Sequence, residues 1–186
     1  MPFPRIMPFA AACALACALI SPAAAATYSV GPGGDYPTIT AALAAPLSEA
    51  SVLELTPGYT SAGETLPIDL FGVHPITVRP QLGATGLVIS GSVTPIILGF
   101  GGGFVVDGRP GGVGTSRELT IRCTATNMPA VQFTEGSRDT LRWVNVESAN
   151  ASATSGAVYF APNQLGCAFD HVSACRIGGG GLVPNN

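Results

Sequence analysis

The strongest constraint on the fold is a short pattern that recurs at near-constant spacing in the second half of the chain. Residues 119–123, 141–145 and 167–171 each read apolar, any residue, apolar, any residue, then a small or polar residue. The first residues of these segments lie 22 and 26 positions apart, and a second pattern, at 130–133 and 157–160, recurs after 27. Periods of about 20–50 residues are typical of solenoids, whose repeats stack on one another. The sequence therefore predicts two short strands per turn.

Two types of strand alternate along most of the chain. One type starts near positions 68, 87, 104, 130 and 157, and the other near 76, 96, 119, 141 and 167. The strands of a β-sandwich recur every ~8–12 residues, so the longer spacing favours a different fold. We predict an all-β fold, a right-handed, single-stranded parallel β-helix of about six rungs. The predicted inward columns are Ile121, Trp143, Phe169 and Leu119, Leu141, Cys167, and the predicted turn column is Cys123, Asn145, His171.

A short helix is predicted near the start of the domain. Ile39, Ala42 and Leu43 are spaced i, i+3, i+4, as on the apolar face of a helix, and Pro46 ends this pattern. The first rung of a solenoid otherwise leaves apolar side chains and a strand edge facing water. We therefore expect this helix to cap the N-terminal end.

Residues 1–26 have the pattern of a secretory signal peptide. Arg5 precedes an apolar run over residues 9–20, and the small residues 24–26 predict cleavage before Thr27. A membrane anchor is the alternative, but this run is shorter than the ~20 residues that span a bilayer. We expect residues 27–186 to form one secreted domain, in the periplasm, outside the cell or at its surface.

The last residues of the chain predict that it is part of a longer β-helix. Residues 178–186 contain neither an amphipathic helix nor a polar closing strand. A solenoid needs a polar cap at each end to stay soluble. We therefore expect truncation at the C-terminus and end-to-end association of the chain with itself.

The composition argues against several functional classes. Charged residues make up 10% of the chain, the net charge is −3, and the chain contains arginine but no lysine. A basic stripe of the kind that binds nucleic acid is missing. No Cys/His spacing suggests zinc, and no glycine loop is followed by the lysine that binds nucleotide phosphates. We therefore expect no nucleic-acid partner and no resident cofactor or metal.

Three cysteines, Cys123, Cys167 and Cys175, follow the predicted cleavage site. Export permits a disulfide, and an odd number leaves at least one thiol outside any bridge within the chain. Cys167 and Cys175 lie eight residues apart across one predicted turn, so we expect them to pair. Cys123 then stays a core thiol. The alternative is that all three are small residues that fill the core.

Residues near the start of the domain resemble a known superfamily. Val30-Gly31, residues 34–39 and Ala42-Leu43 are similar to the opening of pectin methylesterases and other pectin-lyase-like β-helix proteins. Residues 57–59 and 63–68 resemble more closely a group of uncharacterised bacterial secreted domains of that superfamily. The resemblance implies a parallel β-helix and, for the enzymes of the superfamily, activity on uronic-acid polymers.

The sequence departs from the catalytic motifs of those enzymes. It has no Asp-Phe-Ile-Phe-Gly run as in pectin methylesterases and no Gly-His-Gly as in polygalacturonases. Its acidic residues are scattered, whereas pectate lyases gather several carboxylates around calcium. We therefore expect a non-catalytic module that binds polysaccharide or serves as a surface scaffold. The alternative is a polysaccharide lyase, with calcium as a possible cofactor, or a pectin esterase.

Four charged side chains are the candidate substrate-binding residues. The period of two in a strand directs Asp107, Arg122, Arg142 and Asp170 outward, on one face of the predicted solenoid. Arginine suits this role because its planar fork bonds a carboxylate with two parallel hydrogen bonds. The alternative is an ordinary solvated face with weak ion pairs. Glu64 is expected to cap a turn, with cation binding as its alternative.

Overall fold

The computed structural model describes residues 25–47, 50–72, 74–135, 138–150, 156–161, 170–179 and the backbone of 182–183. Within these ranges the chain forms fifteen short strands, one five-residue helix and two 3₁₀ turns. The strands are β1 Ala26–Val30, β2 Ser51–Leu55, β3 Ile68–Leu70, β4 Ile76–Pro80, β5 Leu87–Gly91, β6 Ile96–Leu98, β7 Val105–Asp107, β8 Leu119–Cys123, β9 Val131–Phe133, β10 Thr140–Arg142, β11 Asn145–Ser148, β12 Val158–Phe160, β13 His171–Ser173, β14 Arg176–Gly179 and β15 Leu182–Val183. The helix, α1, is Ile39–Leu43, and the 3₁₀ turns are Ser61–Gly63 and Pro110–Gly112.

The strands form three parallel sheets that the chain visits in rotation. Sheet A has the order β1-β2-β4-β7-β10-β13, sheet B has β5-β8-β11-β14, and sheet C has β3-β6-β9-β12-β15. From β4 onward each full turn passes from sheet A to sheet B to sheet C and returns one strand further along. Among the described strands, β1 leads through α1 to β2 of the same sheet, and β2 leads to β3 of sheet C. The result is a β-solenoid of about five turns. The prediction of an all-β parallel β-helix is confirmed.

The predicted register is wrong, because a full turn contains three strands instead of two. Leu119 lies in sheet B beside Leu87, whereas Leu141 lies in sheet A beside Val106. Ile121 stacks on Val146 instead of Trp143. Spacing along the sequence counts residues but does not show where the chain turns a corner between sheets.

The predicted turn column is also absent. Cys123 is paired with Ser148, Asn145 with Thr120 and Arg176, and His171 with Thr140. Phe169 and Cys167 lie outside the described residues.

The core consists of apolar side chains stacked in columns along the solenoid axis. In sheet A, Val78, Val106 and Leu141 occupy neighbouring positions of successive strands, and all three are buried. In sheet C, the rings of Phe133 and Phe160 stack with centroids 4.6 Å apart. Burial of such columns along the whole axis is the main stabilising contribution to this fold.

The helix α1 is a short segment of five residues. The Thr38 side chain accepts the N–H of Ala41 at 3.0 Å, as an N-cap residue does, and Ile39 and Ala42 are fully buried. The helix contacts β3, the first strand of sheet C. Its role as the cap of the solenoid stays a prediction.

The predicted leader lies almost wholly outside the described residues. Strand β1 begins at Ala26, the last residue of the predicted leader, so cleavage before Thr27 would leave four of its five residues. Cleavage, secretion and the truncated C-terminus stay predictions. In the described part of the chain, α1 is far too short to cross a membrane, and no other helix there is long and apolar enough.

Candidate functional site: an arginine-rich corner

The candidate site lies where the chain passes from sheet A to sheet B. In the later turns this corner has only two residues, Trp143-Val144 after β10 and Ala174-Cys175 after β13. After β7 the chain instead makes a long excursion, residues 108–118, before β8 begins. This excursion therefore adds side chains to a corner that has only two residues in each of the later turns.

The two short corners need a backbone conformation that L-residues rarely adopt. Trp143 has φ 55° and Ala174 has φ 52°, both in the left-handed region. Gly108 packs against the first of these corners, and its N–H donates to the carbonyl oxygen of Arg142 at 2.9 Å. A Cβ at position 108 would overlap the carbonyl group of Trp143. Glycine at 108 therefore permits the excursion to leave β7 directly beside the Trp143 corner.

Asp107 is the centre of the site. Its side chain is 1% exposed, and its Oδ2 accepts Nη2 of Arg109 at 2.7 Å and Nε of Arg142 at 2.8 Å. Its Oδ1 accepts the backbone N–H and Nε of Arg109, both at 3.0 Å. Arg142 and Asp107 are direct neighbours in sheet A, whereas Arg109 reaches back from the excursion.

These bonds decide the charge state of the buried carboxyl group. Burial by itself raises the pKa of Asp107. The hydrogen bonds from Arg109 and the positive charges of Arg142 and Arg109 lower the pKa, and together they outweigh the effect of burial. The net pKa of Asp107 lies below its ordinary value. The group is therefore a carboxylate at neutral pH, and it holds both guanidinium groups in fixed positions.

Trp143 brings a third arginine into the same corner. The guanidinium carbon of Arg117 lies 5.2 Å from the centre of the indole ring, and that of Arg109 lies 5.8 Å from it. Both distances suit a cation–π interaction. Arg117 also donates from Nε to the carbonyl oxygen of Ala174 at 2.7 Å. We call Asp107, Arg109, Arg117, Arg142 and Trp143 the arginine corner.

The arginine corner has an excess of positive charge and unused hydrogen-bond donors. It contains three guanidinium groups and one carboxylate, on a chain whose net charge is −3. The Arg142 side chain is 40% exposed. Among the described residues, the bonds of Arg117 and Arg142 use only their Nε atoms, so their terminal nitrogens remain as donors. Such a group of donors suits an anion with several oxygen atoms.

Only two of the four predicted binding residues meet in the structure. Asp107 and Arg142 belong to the arginine corner, but Arg122 lies on sheet B and pairs with Glu147 at 2.7 Å. Asp170 precedes β13 and bonds the backbone of another turn. The prediction that all four line one face is therefore wrong. The cause is the missed third sheet, which assigns Arg122 to a different side of the solenoid.

Arg109, Arg117 and Trp143 are the residues that the sequence patterns did not identify. Trp143 was placed inward by the period of two, but it lies at a corner and is only half-buried. The available signal was the unusual spacing between β7 and β8, because an excursion with two arginines breaks an otherwise regular repeat.

Glu64 caps a backbone segment, but the segment is a helix and not a turn. Its Oε1 accepts the N–H of Ile39 at 2.6 Å, and its Oε2 accepts the N–H of Thr40 at 2.9 Å. The Tyr59 hydroxyl donates to Oε1 at 2.6 Å. Glu64 therefore satisfies N–H groups in the first turn of α1 from the next turn of the solenoid.

The structure describes two of the three cysteines that follow the predicted cleavage site, Cys123 and Cys175. Cys123 is buried, and Cys175 is partly buried with its Sγ 3.3 Å from the carbonyl oxygen of Ser173. Burial raises the pKa of both thiols. Both thiols are free in the structure, but Cys167 lies outside the described residues, so the Cys167–Cys175 disulfide stays a prediction.

Within the described ranges no group of three or more His, Cys, Asp or Glu side chains is arranged to hold a metal ion.

Comparison with family models, with curated proteins and with solved structures gives no match to this chain. The resemblance to pectin-lyase-like proteins therefore rests on the quoted motifs alone. The residues of the arginine corner lie outside those motifs.

Proposed function

We propose that this protein is a non-catalytic module that binds an acidic polysaccharide through the arginine corner. The observation that carries the proposal is a pair of guanidinium groups, those of Arg109 and Arg142, held on one buried carboxylate. A third guanidinium group, that of Arg117, is held beside them on the Trp143 ring. A uronic-acid polymer offers the complementary chemistry, because its carboxylates accept paired hydrogen bonds from arginine. The resemblance to pectin-lyase-like proteins supports the same class of ligand.

The donors of the corner are already oriented before any ligand binds. Arg142 is held by Asp107, and Arg117 is held by both the Ala174 carbonyl group and the Trp143 ring. A side chain that is fixed in advance loses less conformational entropy on binding. In this proposal Trp143 positions the arginines, and Arg117 and Arg142 contact the ligand.

The arrangement supports binding more than chemistry on the substrate. Asp107 is buried beneath two arginines, so a sugar cannot reach its oxygens. Its lowered pKa also makes it a weak proton acceptor and keeps it from serving as a general acid near neutral pH. The corner supplies fixed positive charge, and this is the property that holds an anionic polymer.

The test measures retention of the protein on immobilised polygalacturonate, with uncharged dextran as the reference matrix. We expect the wild type to bind polygalacturonate at low salt and to elute as ionic strength rises. Arg117→Ala should weaken binding about tenfold, which corresponds to ~1.4 kcal/mol. Arg117→Lys, which keeps the charge and loses the fork, should recover part of that loss.

Arg122→Ala is the matched control, because it removes the same charge from the exposed pair on sheet B. Equal losses for Arg117→Ala and Arg122→Ala would mean that net charge alone drives retention, which contradicts the proposed site. Absence of retention would contradict binding. Release of an unsaturated product or of methanol from pectin would contradict the non-catalytic function.

A further inference from the structure

Two aspartates lie one above the other at the opposite end of the sheet A strands. Asp139 directly precedes β10 and Asp170 directly precedes β13, and the two strands are in register, with Thr140 beside His171. Neighbouring parallel strands are ~4.8 Å apart. Asp139 is fully buried and Asp170 is partly buried. Two carboxyl groups are therefore stacked in a place with little water.

Each carboxyl group binds the start of the strand one turn earlier. Oδ1 of Asp170 accepts the N–H of Asp139 at 3.0 Å, and Oδ1 of Asp139 accepts the N–H of Phe104 at 2.9 Å. Phe104 precedes β7, so these bonds link three successive turns. Oδ2 of Asp139 is buried and has no hydrogen-bond partner among the described residues. A buried carboxylate oxygen without a donor is costly, and a proton on it removes that cost.

The charged groups around the pair come from three strands. Asp170 and His171 come from β13 and the residue before it, Arg138 precedes β10, and Asp107 lies at the far end of β7. The pKa of Asp139 is raised to about 6. Burial is the largest cause and the negative charge of Asp170 adds to it, while the backbone groups of Phe104 and Gly103 lower the pKa in part. The pair therefore gains a proton more readily than isolated aspartates do.

We propose that Asp139 and Asp170 share one proton and form a pH-sensitive clasp, which holds β13 on β10 in mildly acidic solution and loosens as the solution becomes neutral. The shared proton resides on Oδ2 of Asp139 and is released to water as the clasp loosens. This proposal does not depend on the proposed function. Loosening of β13 also displaces the Ala174 carbonyl group, which accepts a hydrogen bond from Arg117.

The direction in which stability changes with pH follows from the raised pKa of Asp139. A carboxyl group whose pKa is higher in the folded state contributes stability that is complete below its unfolded pKa. That contribution is lost as pH rises through the folded value, here about 6. Asp139→Asn replaces the protonated acid with a neutral amide of the same shape, so it should remove this pH dependence.

The test compares thermal unfolding of the wild type and Asp139→Asn between pH 5 and pH 8. We expect the two proteins to unfold at similar temperatures at pH 5, and the variant to unfold several degrees higher at pH 8. Taking the difference between the proteins cancels the titrating groups that do not interact with Asp139. His171→Gln is the control, because it changes the ionisable side chain that directly follows Asp170 in the chain, and it should leave the pH dependence of the wild type in place.

A second measurement does not depend on how the variant folds. Carboxyl ¹³C resonances of the wild type should show an Asp139 titration near pH 6, with the two aspartates titrating in coupled steps. Backbone amides of β13 should exchange with solvent faster at pH 8 than at pH 5 after correction for intrinsic rates. An Asp139 titration at the ordinary value for aspartate, or a stability difference that is flat with pH, would overturn the proposal.

Discussion

Two arginine–carboxylate pairs, one on sheet A and one on sheet B, differ in their surroundings more than in their geometry. Arg142 lies 2.8 Å from Asp107 in sheet A, and Arg122 lies 2.7 Å from Glu147 in sheet B. Both pairs join neighbouring strands. The Asp107 side chain is 1% exposed, however, whereas those of Arg122 and Glu147 are 47% and 46% exposed. Similar distances therefore correspond to different interaction energies, because water screens the second pair more strongly than the first, whose carboxylate is buried.

The excursion after β7 is the cause of this difference. Residues 108–118 lie between β7 and β8, and Arg109 from this excursion bonds Asp107 in addition to Arg142 from sheet A. Sheet B has no comparable excursion over Arg122 within the described residues. A local insertion can thus turn one position of a regular repeat into a candidate site.

The largest expected effect is loss of the buried carboxylate. Asp107→Ala leaves Arg109 and Arg142 without their common partner, so we expect the free energy of unfolding to fall by ~3–5 kcal/mol. Urea denaturation at pH 7 measures this. The lowered pKa of Asp107 implies that its contribution is present at neutral pH and is lost as pH falls through the folded value. A fall of less than 1 kcal/mol would place Asp107 in the same class as the exposed pair.

An intermediate effect is expected at Glu64, a carboxylate whose partners are mainly N–H and O–H groups. Glu64→Ala removes acceptors for Ile39 and Thr40 and for the Tyr59 hydroxyl. We expect a loss of ~1–3 kcal/mol, the usual range for a helix cap and a buried donor. Hydrogen exchange of the α1 amides should rise with it. Unchanged exchange in α1 would contradict the capping role.

The smallest effect is expected for the exposed pair. A double-mutant cycle with Arg122→Ala and Glu147→Ala should give a coupling energy of ~0–1 kcal/mol that falls as salt is added. The corresponding cycle for Arg142→Ala and Asp107→Ala should give a larger coupling that salt hardly changes. Equal coupling energies from the two cycles would show that burial does not strengthen the Arg142–Asp107 pair relative to the Arg122–Glu147 pair.

The fold was predictable because its signal is repeated many times. Short apolar runs separated by glycine and proline recur at similar intervals, and every turn adds the same evidence. The register was not predictable from that signal. Trp143 sits on a left-handed corner between sheets A and B, and a residue there breaks the alternation that places its neighbours inside or outside.

The candidate site likewise contains residues that the sequence pattern predicted and residues that it did not. Asp107 and Arg142 were identified because each falls at an outward position of a strand, and their strands are neighbours in sheet A. Arg122 satisfies the same alternation and lies on another face. Arg109 and Arg117 lie outside the strands, so the strand period says nothing about them.

The class of fold, the parallel β-solenoid, follows from the amino-acid sequence alone, because burying short apolar strands at a regular spacing has few other solutions. The tertiary structure decided which charges meet. Contacts across successive turns join residues about 25–35 positions apart, and their pairing depends on the length of every loop between them. An added corner places the side chains that follow it on another face. The alternation of inward and outward side chains along a strand does not show where such a corner lies.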